Sequence, residues 1–262
     1  MFTLGNNKGI TIKSPEEINL MRISGQIVAR TMEKITSAAK PGVTTTELDQ
    51  IAEDDIRSQD AVPSFKGYLN YPATICTSIN NELVHGIPSD RKIQDGDILS
   101  IDAGAVYKGF HSDHAVTIPI GSVPKPINEL IKVTRESLLV GIKQAVAGAR
   151  IGDVSHSIQE YIESNNFGVV REYVGHGIGR RLHEEPGVPN YGEPGRGPKL
   201  RVGMALAIEP MINLGTHKTR TLEDGWTVVT ADGSLSAHFE HTIAITENGA
   251  EVLTRRQNEN RL

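Results

Sequence analysis

Residues 236–245 read SAHFEHTIAI and place an acid, Glu240, between two histidines in an alternating, strand-like run. Residues 110–118, FHSDHAVTI, repeat this H-x-[D/E]-H pattern around Asp113. Acids are depleted in strands, because a half-buried pleated surface favours apolar and β-branched side chains. Two strand-borne acids in one pattern therefore indicate a repeated unit that needs carboxylates in its interior.

Two further matches extend this pattern to an internal duplication. Each half carries an H-G-I triplet and, after it, a glycine followed six residues later by an acid. The triplets begin at His85 and His176, and the acids are Asp102 and Glu209. The period is too long for a solenoid repeat. It indicates two half-domains packed about a pseudo-two-fold axis, with a shared site between them.

The predicted elements follow the order helices, strands, helices, strands. Capping boxes at Ser14 with Glu17 and at Thr44 with Glu47 predict two helix starts. Apolar periodicity predicts further helices at about 127–147 and 154–164, and strands within 74–120, 169–180, 204–213, 226–230 and 236–246. We expect a single α+β domain over 1–262, with halves at about 10–120 and 121–251 and a loose polar tail at 252–262.

Composition narrows the class of protein. The chain has 262 residues, 38% of them hydrophobic, and a net charge of −5, which suits a sizeable core and gives no indication of a nucleic-acid or anionic membrane partner. No apolar run approaches the roughly 20 residues of a membrane-spanning helix. The N-terminus has no secretory pattern, and the single cysteine, Cys76, cannot form an internal disulfide. We expect a cytoplasmic protein.

Asp102 and Asp113 flank a predicted tight turn at Tyr107-Lys108-Gly109. If the strands fold back there, the two acids lie opposite each other to within one residue of register. Paired residues of antiparallel strands have Cα atoms about 4.5–5.5 Å apart, and two ionised carboxylates at that separation repel strongly. The local hairpin offers no lysine or arginine on the same face, so another positive charge must be present.

The duplication predicts that Glu209 and Glu240 reach the same place across the pseudo-two-fold axis, where His176 adds a nitrogen. Four oxygen ligands and one nitrogen suit two divalent first-row cations such as Mn²⁺, Fe²⁺ or Co²⁺, and differ from a cysteine-rich zinc site. Two such cations together can lower the pKa of a water molecule and hold a reacting group.

The sequence resembles the bacterial type I methionine aminopeptidases, which have the pita-bread fold. The resemblance extends from about Ile10 to Glu251 and rests on the stretches ELVHGIP, DGDILSIDAG, GFHSDHAVTIPIG, REYVGHGIGRRLHEEP, VGMALAIEPMI and DGWTVVTADGSLSAHFEHTIAIT. It implies two bound divalent cations (Co, Mn, Fe or Zn), with Asp113 and Glu240 as bridging ligands. The full ligand set that it implies is Asp102, Asp113, His176, Glu209 and Glu240.

The same resemblance implies removal of the initiator methionine from nascent chains near the ribosome, by a monomer that favours a small second residue. His85 would contact the scissile nitrogen, His183 the substrate carbonyl, and Glu209 would carry the proton. The implied methionine pocket consists of Phe65, Tyr68, Tyr71, Cys76, Leu182 and Trp226. This chain departs from the family at Phe65, where many members have cysteine, at Leu182, where many have phenylalanine, and at Gly104, where others have threonine.

Several alternatives stay open at the level of sequence. His85 by itself is compatible with a turn histidine, His183 with a surface ion pair to the acids beside it, and the aromatic residues with an ordinary core. A related enzyme that cleaves before proline is a rival, although such relatives usually carry an additional N-terminal domain. A non-catalytic binding protein of the same fold is another, although it would be free to lose the ligands that are all present here.

Overall fold

The structure, a computed structural model, describes residues 9–257 and residue 259. Within these residues the chain forms four α-helices, in two pairs that each precede a group of strands. They are α1 (Pro15–Ala38), α2 (Thr45–Ser58), α3 (Lys125–Gln144) and α4 (Ile151–Ser164). In this part of the chain no helix is both long and apolar enough to cross a lipid bilayer.

Both predicted capping boxes are confirmed. The Ser14 hydroxyl accepts a hydrogen bond from Glu17 N at 3.3 Å, while the Glu17 carboxylate accepts one from Ser14 N at 3.0 Å. Thr44 and Glu47 make the same reciprocal pair at the start of α2. Helix α4 starts three residues earlier than predicted, because the Asp153 carboxylate accepts a hydrogen bond from Arg150 N at 2.7 Å and so extends the first turn.

The strands are short except in the central hairpin. They are β1 (Val62–Pro63), β2 (Ile75–Ile79), β3 (Glu82–Val84), β4 (Ile98–Tyr107), β5 (Phe110–Pro119), β6 (Gly168–Val169), β7 (Gly175–Gly177), β8 (Glu184–Val188), β9 (Ala205–Ile208), β10 (Met211–Asn213), β11 (Thr219–Thr221), β12 (Val228–Thr230), β13 (Ser236–His238), β14 (Glu240–Thr246) and β15 (Gly249–Val252). Strand β8 was not predicted, because Pro186 and Gly187 within it are both depleted in strands.

The main antiparallel sheet repeats its strand order on the two sides of its centre. Strands β5 and β14 pair at the centre. On one side β5 is followed by β4 and then β2, and on the other side β14 is followed by β9 and then β7. A two-fold axis between β5 and β14 therefore relates the strands of the two halves, as the duplicated sequence patterns predict.

The β4–β5 hairpin turns at the predicted place but in a different register. Its two-residue loop is Lys108-Gly109, both with positive φ (47° and 79°), as a tight hairpin turn of matching twist requires. Asp102 pairs with Ala115 and not with Asp113, so the expected direct opposition of the two acids is wrong. The offset is two residues, and since side chains alternate along a strand, both carboxylates still lie on one face.

The hydrophobic core lies between this sheet and the helices. Helix α1 packs against β4 and β5, and α3 packs against α4 and against the strands of the second half. Residues fully buried in the core include Ile27, Met32 and Ile35 of α1 and Leu130 and Leu138 of α3. The helices thus cover the outer face of the sheet and leave the other face to the site.

The described part of the predicted loose tail is packed. Leu253 and Thr254 are fully buried, and Leu253 N donates a hydrogen bond to the Thr242 carbonyl at 2.9 Å. Helix α1 approaches this segment so closely that a Cβ on Gly25 would lie 2.4 Å from the Leu253 carbonyl oxygen. The sequence did not predict that Leu253 and Thr254 are packed, because the residues that follow them are polar and the contacts that bury them are distant in sequence.

Candidate metal centre

Four carboxylates and one imidazole converge from five strands. Asp102 lies in β4, Asp113 in β5, His176 in β7 and Glu240 at the start of β14, while Glu209 directly follows β9. All five line one cavity. Ligand atoms of Asp113, His176 and Glu240, all buried, lie within 4.8 Å of one another. The structure thus brings together every residue of the predicted ligand set.

Burial disfavours the charged form of each of these carboxyl groups. It raises the pKa of Asp102 to about 7. The pKa values of Asp113, Glu209 and Glu240 are raised well above the ordinary range, first by burial and then by repulsion from the neighbouring carboxylates. Among the described residues, none of the four forms an ion pair with a lysine or arginine. Compensating charge must therefore come from bound cations if the carboxylates are ionised.

The hydrogen bonding of the site fits metal ligands. Asp102 Oδ1 and Glu240 Oε1 are buried and have no hydrogen-bond partner within residues 9–257 and 259, which is rare for buried polar atoms. His176 Nδ1 lies 2.9 Å from the Gly177 carbonyl, a contact that assigns the proton to Nδ1 and leaves Nε2 as a lone-pair donor. Burial lowers the pKa of His176 to about 3, so the ring is neutral, as a metal ligand must be.

The whole cavity has a volume of about 200 Å³, and away from these ligands its wall is largely apolar. Tyr71 and Trp226 meet edge to face there, with ring centroids 5.0 Å apart. Phe65, Cys76 and Leu182 are each at most 7% exposed. All six predicted pocket residues line the cavity, and Leu69, which the sequence did not single out, joins them from an exposed turn. The aromatic residues therefore belong both to a core cluster and to the cavity wall.

His85 lies at the end of β3 with φ of +61°, in the left-handed region that a residue with a Cβ adopts at a cost. The centroid of its ring lies 6.1 Å from that of Trp226 and 5.9 Å from that of Tyr173, and both pairs meet edge to face. Burial lowers its pKa to about 4. Backbone strain of this kind concentrates at functional sites, and here it directs a neutral imidazole into the cavity that holds the carboxylates.

His183 contacts the site and not the acids beside it in sequence. Its Nδ1 lies 2.7 Å from the Tyr68 hydroxyl, and its ring centroid is 4.3 Å from that of His176. The adjacent acid, Glu184, instead accepts hydrogen bonds from the buried Lys13 ammonium at 2.9 Å and from Arg181 N at 3.1 Å. This network fixes the loop and leaves the exposed side of the His183 ring toward the cavity.

Two departures from the family pattern are structurally linked. A Cβ added to Gly104 would lie 2.9 Å from Phe65 Cε1 and 2.8 Å from Ser64 Cβ. The Phe65 ring thus occupies the space next to β4 where a larger residue at position 104 would stand. Glycine at position 104 leaves the space that the Phe65 ring fills. A threonine at 104 and a phenylalanine at 65 would not fit there together.

His238 and Asn190 lie close to the ligands without being among them. His238 Nε2 is 3.7 Å from Glu209 Oε2, is buried, and has no hydrogen-bond partner among the described residues. The sequence already predicts this placement, because strand alternation puts His238 on the same face as Glu240, two residues away, where it could orient a ligand. The buried Asn190 donates from Nδ2 to the Glu209 carbonyl at 3.0 Å and so fixes that backbone. Nothing in its sequence surroundings indicates this role.

Residues 19–247 match the sequence profile of metallopeptidase family M24. The chain belongs to metallopeptidase family M24. This M24 chain is 56% identical over 246 residues to a methionine aminopeptidase of Clostridium acetobutylicum, a match that covers 94% of this chain and 98% of the relative. Its fold matches the crystal structure of a methionine aminopeptidase from Thermotoga maritima with a TM-score of 0.93 at 49% identity, over 94% of this chain and 100% of the other.

The M24 fold is also shared by enzymes with another stated specificity. A Xaa-Pro dipeptidase from Bacillus anthracis matches with a TM-score of 0.78 and 28% identity, over 95% of this chain and 63% of that chain. Compared with the Xaa-Pro dipeptidase, the methionine aminopeptidases have higher sequence identity, TM-score and coverage of both chains. These likenesses confirm the predicted α+β pita-bread fold of two pseudo-symmetric halves.

Proposed function

We propose that this chain removes the N-terminal methionine of newly made proteins by metal-dependent hydrolysis of the first peptide bond. The observation that carries the proposal is the convergence of four carboxylates, of which Asp113 and Glu240 are buried, and His176 on a cavity walled by aromatic and apolar side chains. Near-full-length identity to methionine aminopeptidases supports the same activity. No feature of the site favours cleavage before proline.

We assign the two cations to overlapping ligand sets. Asp102 would hold the first cation, His176 and Glu209 the second, and Asp113 and Glu240 both of them. When bound, the cations act as Lewis acids toward the attacking water and the substrate carbonyl. Glu209, whose carboxyl lies between the imidazoles of His176 and His238, is placed to accept a proton from the water and deliver it to the leaving amine.

The two remaining histidines orient the scissile bond. His85, neutral and half-buried, is positioned to hydrogen-bond the scissile nitrogen, and His183 to donate to the carbonyl oxygen as negative charge develops on it. The Tyr68 hydroxyl is hydrogen-bonded to His183 Nδ1, and this contact fixes the orientation of the imidazole ring. The crowding of these two imidazoles around the exit of the pocket would admit only a small second residue.

The pocket explains the choice of methionine. A thioether gains about 0.3–1.5 kcal/mol from each sulfur–aromatic contact, and the pocket offers Tyr68, Tyr71, Trp226 and Phe65. Binding of the free terminal amine by the cations would restrict cleavage to the first residue. We further propose that the enzyme acts as a monomer in the cytoplasm close to the ribosome, with Co, Mn, Fe or Zn as its metal.

The test is peptide hydrolysis after chelation and re-addition of single metals. Protein stripped with a chelator should release no methionine from Met-Ala-Ser, and Mn²⁺, Fe²⁺, Co²⁺ or Zn²⁺ should restore the release at up to two ions per chain. An Ala-Pro-Ser peptide serves as the comparison. Faster cleavage of that peptide, or metal-loaded protein that cleaves neither, would overturn the proposal.

A further inference from the structure

A second, larger cavity of about 610 Å³ adjoins the first, and the proposed function leaves it unused. The two cavities share three lining residues, His85, His183 and Glu209. His85 marks the boundary, because its ring touches Trp226 of the first cavity on one side and Tyr173 of the second on the other. We call this second cavity the outer groove.

The walls of the outer groove are preformed. Pro186, Pro189 and Pro198 line it and are buried, so the backbone on that side has little freedom. Tyr173 and Tyr191 add half-buried aromatic faces. Rigid apolar walls with a few polar groups are typical of sites that bind a ligand without large rearrangement.

Arg171 is the cation of the outer groove. Its guanidinium carbon lies 5.1 Å from the centre of the Tyr191 ring, and the side chain is exposed. Within residues 9–257 and 259, its guanidinium makes no salt bridge or side-chain hydrogen bond. This cation–π contact places the guanidinium beside the groove, and its N–H groups can donate to a planar acceptor.

The neighbouring acid does not neutralise this cation. Glu172 also lines the groove, but its carboxylate accepts hydrogen bonds from Thr219 N at 3.2 Å and from the Thr219 hydroxyl. The acid is therefore directed at β11, while the Arg171 guanidinium faces Tyr191. Among the described residues, the groove thus presents a cation without an ion-pair partner and a carboxylate that is already hydrogen-bonded.

We propose that the outer groove binds the part of the substrate chain that follows its second residue, and that Arg171 selects an acidic side chain there. This inference rests on the proposed function, since it places the terminal methionine in the first cavity. A peptide held there with its scissile bond at His85, His183 and Glu209 continues into the cavity that shares those residues. A carboxylate in that segment can pair with the guanidinium in a bidentate geometry.

The experiment uses the metal-loaded full chain and C-terminally amidated peptides Met-Ala-Ser-Ser-Ser. Each peptide carries one Glu, Gln or Lys at the third, fourth or fifth position. At one of these positions the Glu peptide should show a kcat/KM about two- to fivefold above the Gln peptide, as expected for a solvent-accessible ion pair. The difference should lie in KM, because the contact is the same in ground and transition states, and it should shrink at high salt.

Three variants separate the explanations. Arg171→Gln should abolish the preference for Glu over Gln, and Arg171→Glu should shift it toward Lys. Arg196→Gln, which removes an exposed arginine that does not line the groove, should leave both the preference and the activity unchanged.

The outcomes are distinct. Equal kcat/KM for Glu and Gln peptides at all three positions, or a preference that persists in Arg171→Gln, would overturn the assignment of the groove while methionine release continues. Absence of methionine release from every peptide would overturn the proposed function, and this inference with it.

Discussion

His176 and Glu209 approach each other from neighbouring strands, with 3.7 Å between His176 Nε2 and Glu209 Oε1. This distance is too long for a hydrogen bond, and the imidazole is neutral because burial lowers its pKa to about 3. The pair therefore gains little from direct contact. A lone pair and a carboxylate oxygen held apart in this way are suited to a cation that both can bind.

The bridging assignment predicts a loss of metal as well as activity. Glu240→Gln and Asp113→Asn keep the side-chain volume but remove the charge that both cations would share. We expect each variant to lower kcat/KM by at least about a hundredfold and to reduce the metal content of the purified protein. The exposed Glu193→Gln should change neither value. Full metal content in both ligand variants would contradict the assignment.

Metal affinity should weaken as the pH falls. Burial raises the pKa of Asp102 to about 7 and also raises the pKa values of Asp113, Glu209 and Glu240, so protons compete with cations for these carboxylates. A cation must displace these protons, and each displaced proton costs about tenfold in affinity for each unit of falling pH. Calorimetry with Mn²⁺ in buffers of different ionisation enthalpy should show proton release. No release between pH 6 and 8 would contradict the electrostatic argument.

His85→Ala should separate catalysis from metal binding. The half-buried side chain lines the cavity boundary, but it is not among the proposed ligands. We expect kcat to fall about 10²- to 10⁴-fold with metal content unchanged. The exposed His217→Ala provides the matched control and should keep wild-type turnover. A variant of His85 that lost its metal would instead show a ligand or folding role.

The Phe65–Gly104 contact predicts a strong coupling between two positions. Gly104→Ala alone should lower the free energy of unfolding by about 1–3 kcal/mol, because the new Cβ overlaps the Phe65 ring. Phe65→Cys removes the ring, so Gly104→Ala should cost less in that background. Urea denaturation of the four proteins of the cycle should give an interaction free energy of about 1 kcal/mol or more. Additive effects would show that the two departures are independent.

The sequence alone was enough to predict the duplication, the starts of the first two helices and the identity of the converging residues. These are local or repetitive properties. Capping at Ser14 depends on a residue three positions away, and the repeated acid patterns need only comparison of the two halves. The positions of Asp102, Asp113, Glu209 and Glu240 follow from the same repetition.

The sequence did not predict the hairpin register, the packing of Leu253 or the outer groove, because all three depend on contacts between distant segments. Register depends on which two residues form the turn, and a slip of one residue would have moved Asp113 to the other face. Leu253 is buried by helix α1, more than 200 positions earlier in the chain. The groove joins residues from β3, β8 and the loops around β7. Contacts between segments so distant in sequence leave no local pattern. Residue spacing and capping reflect interactions between near neighbours in the chain, whereas these contacts form only when the chain has folded.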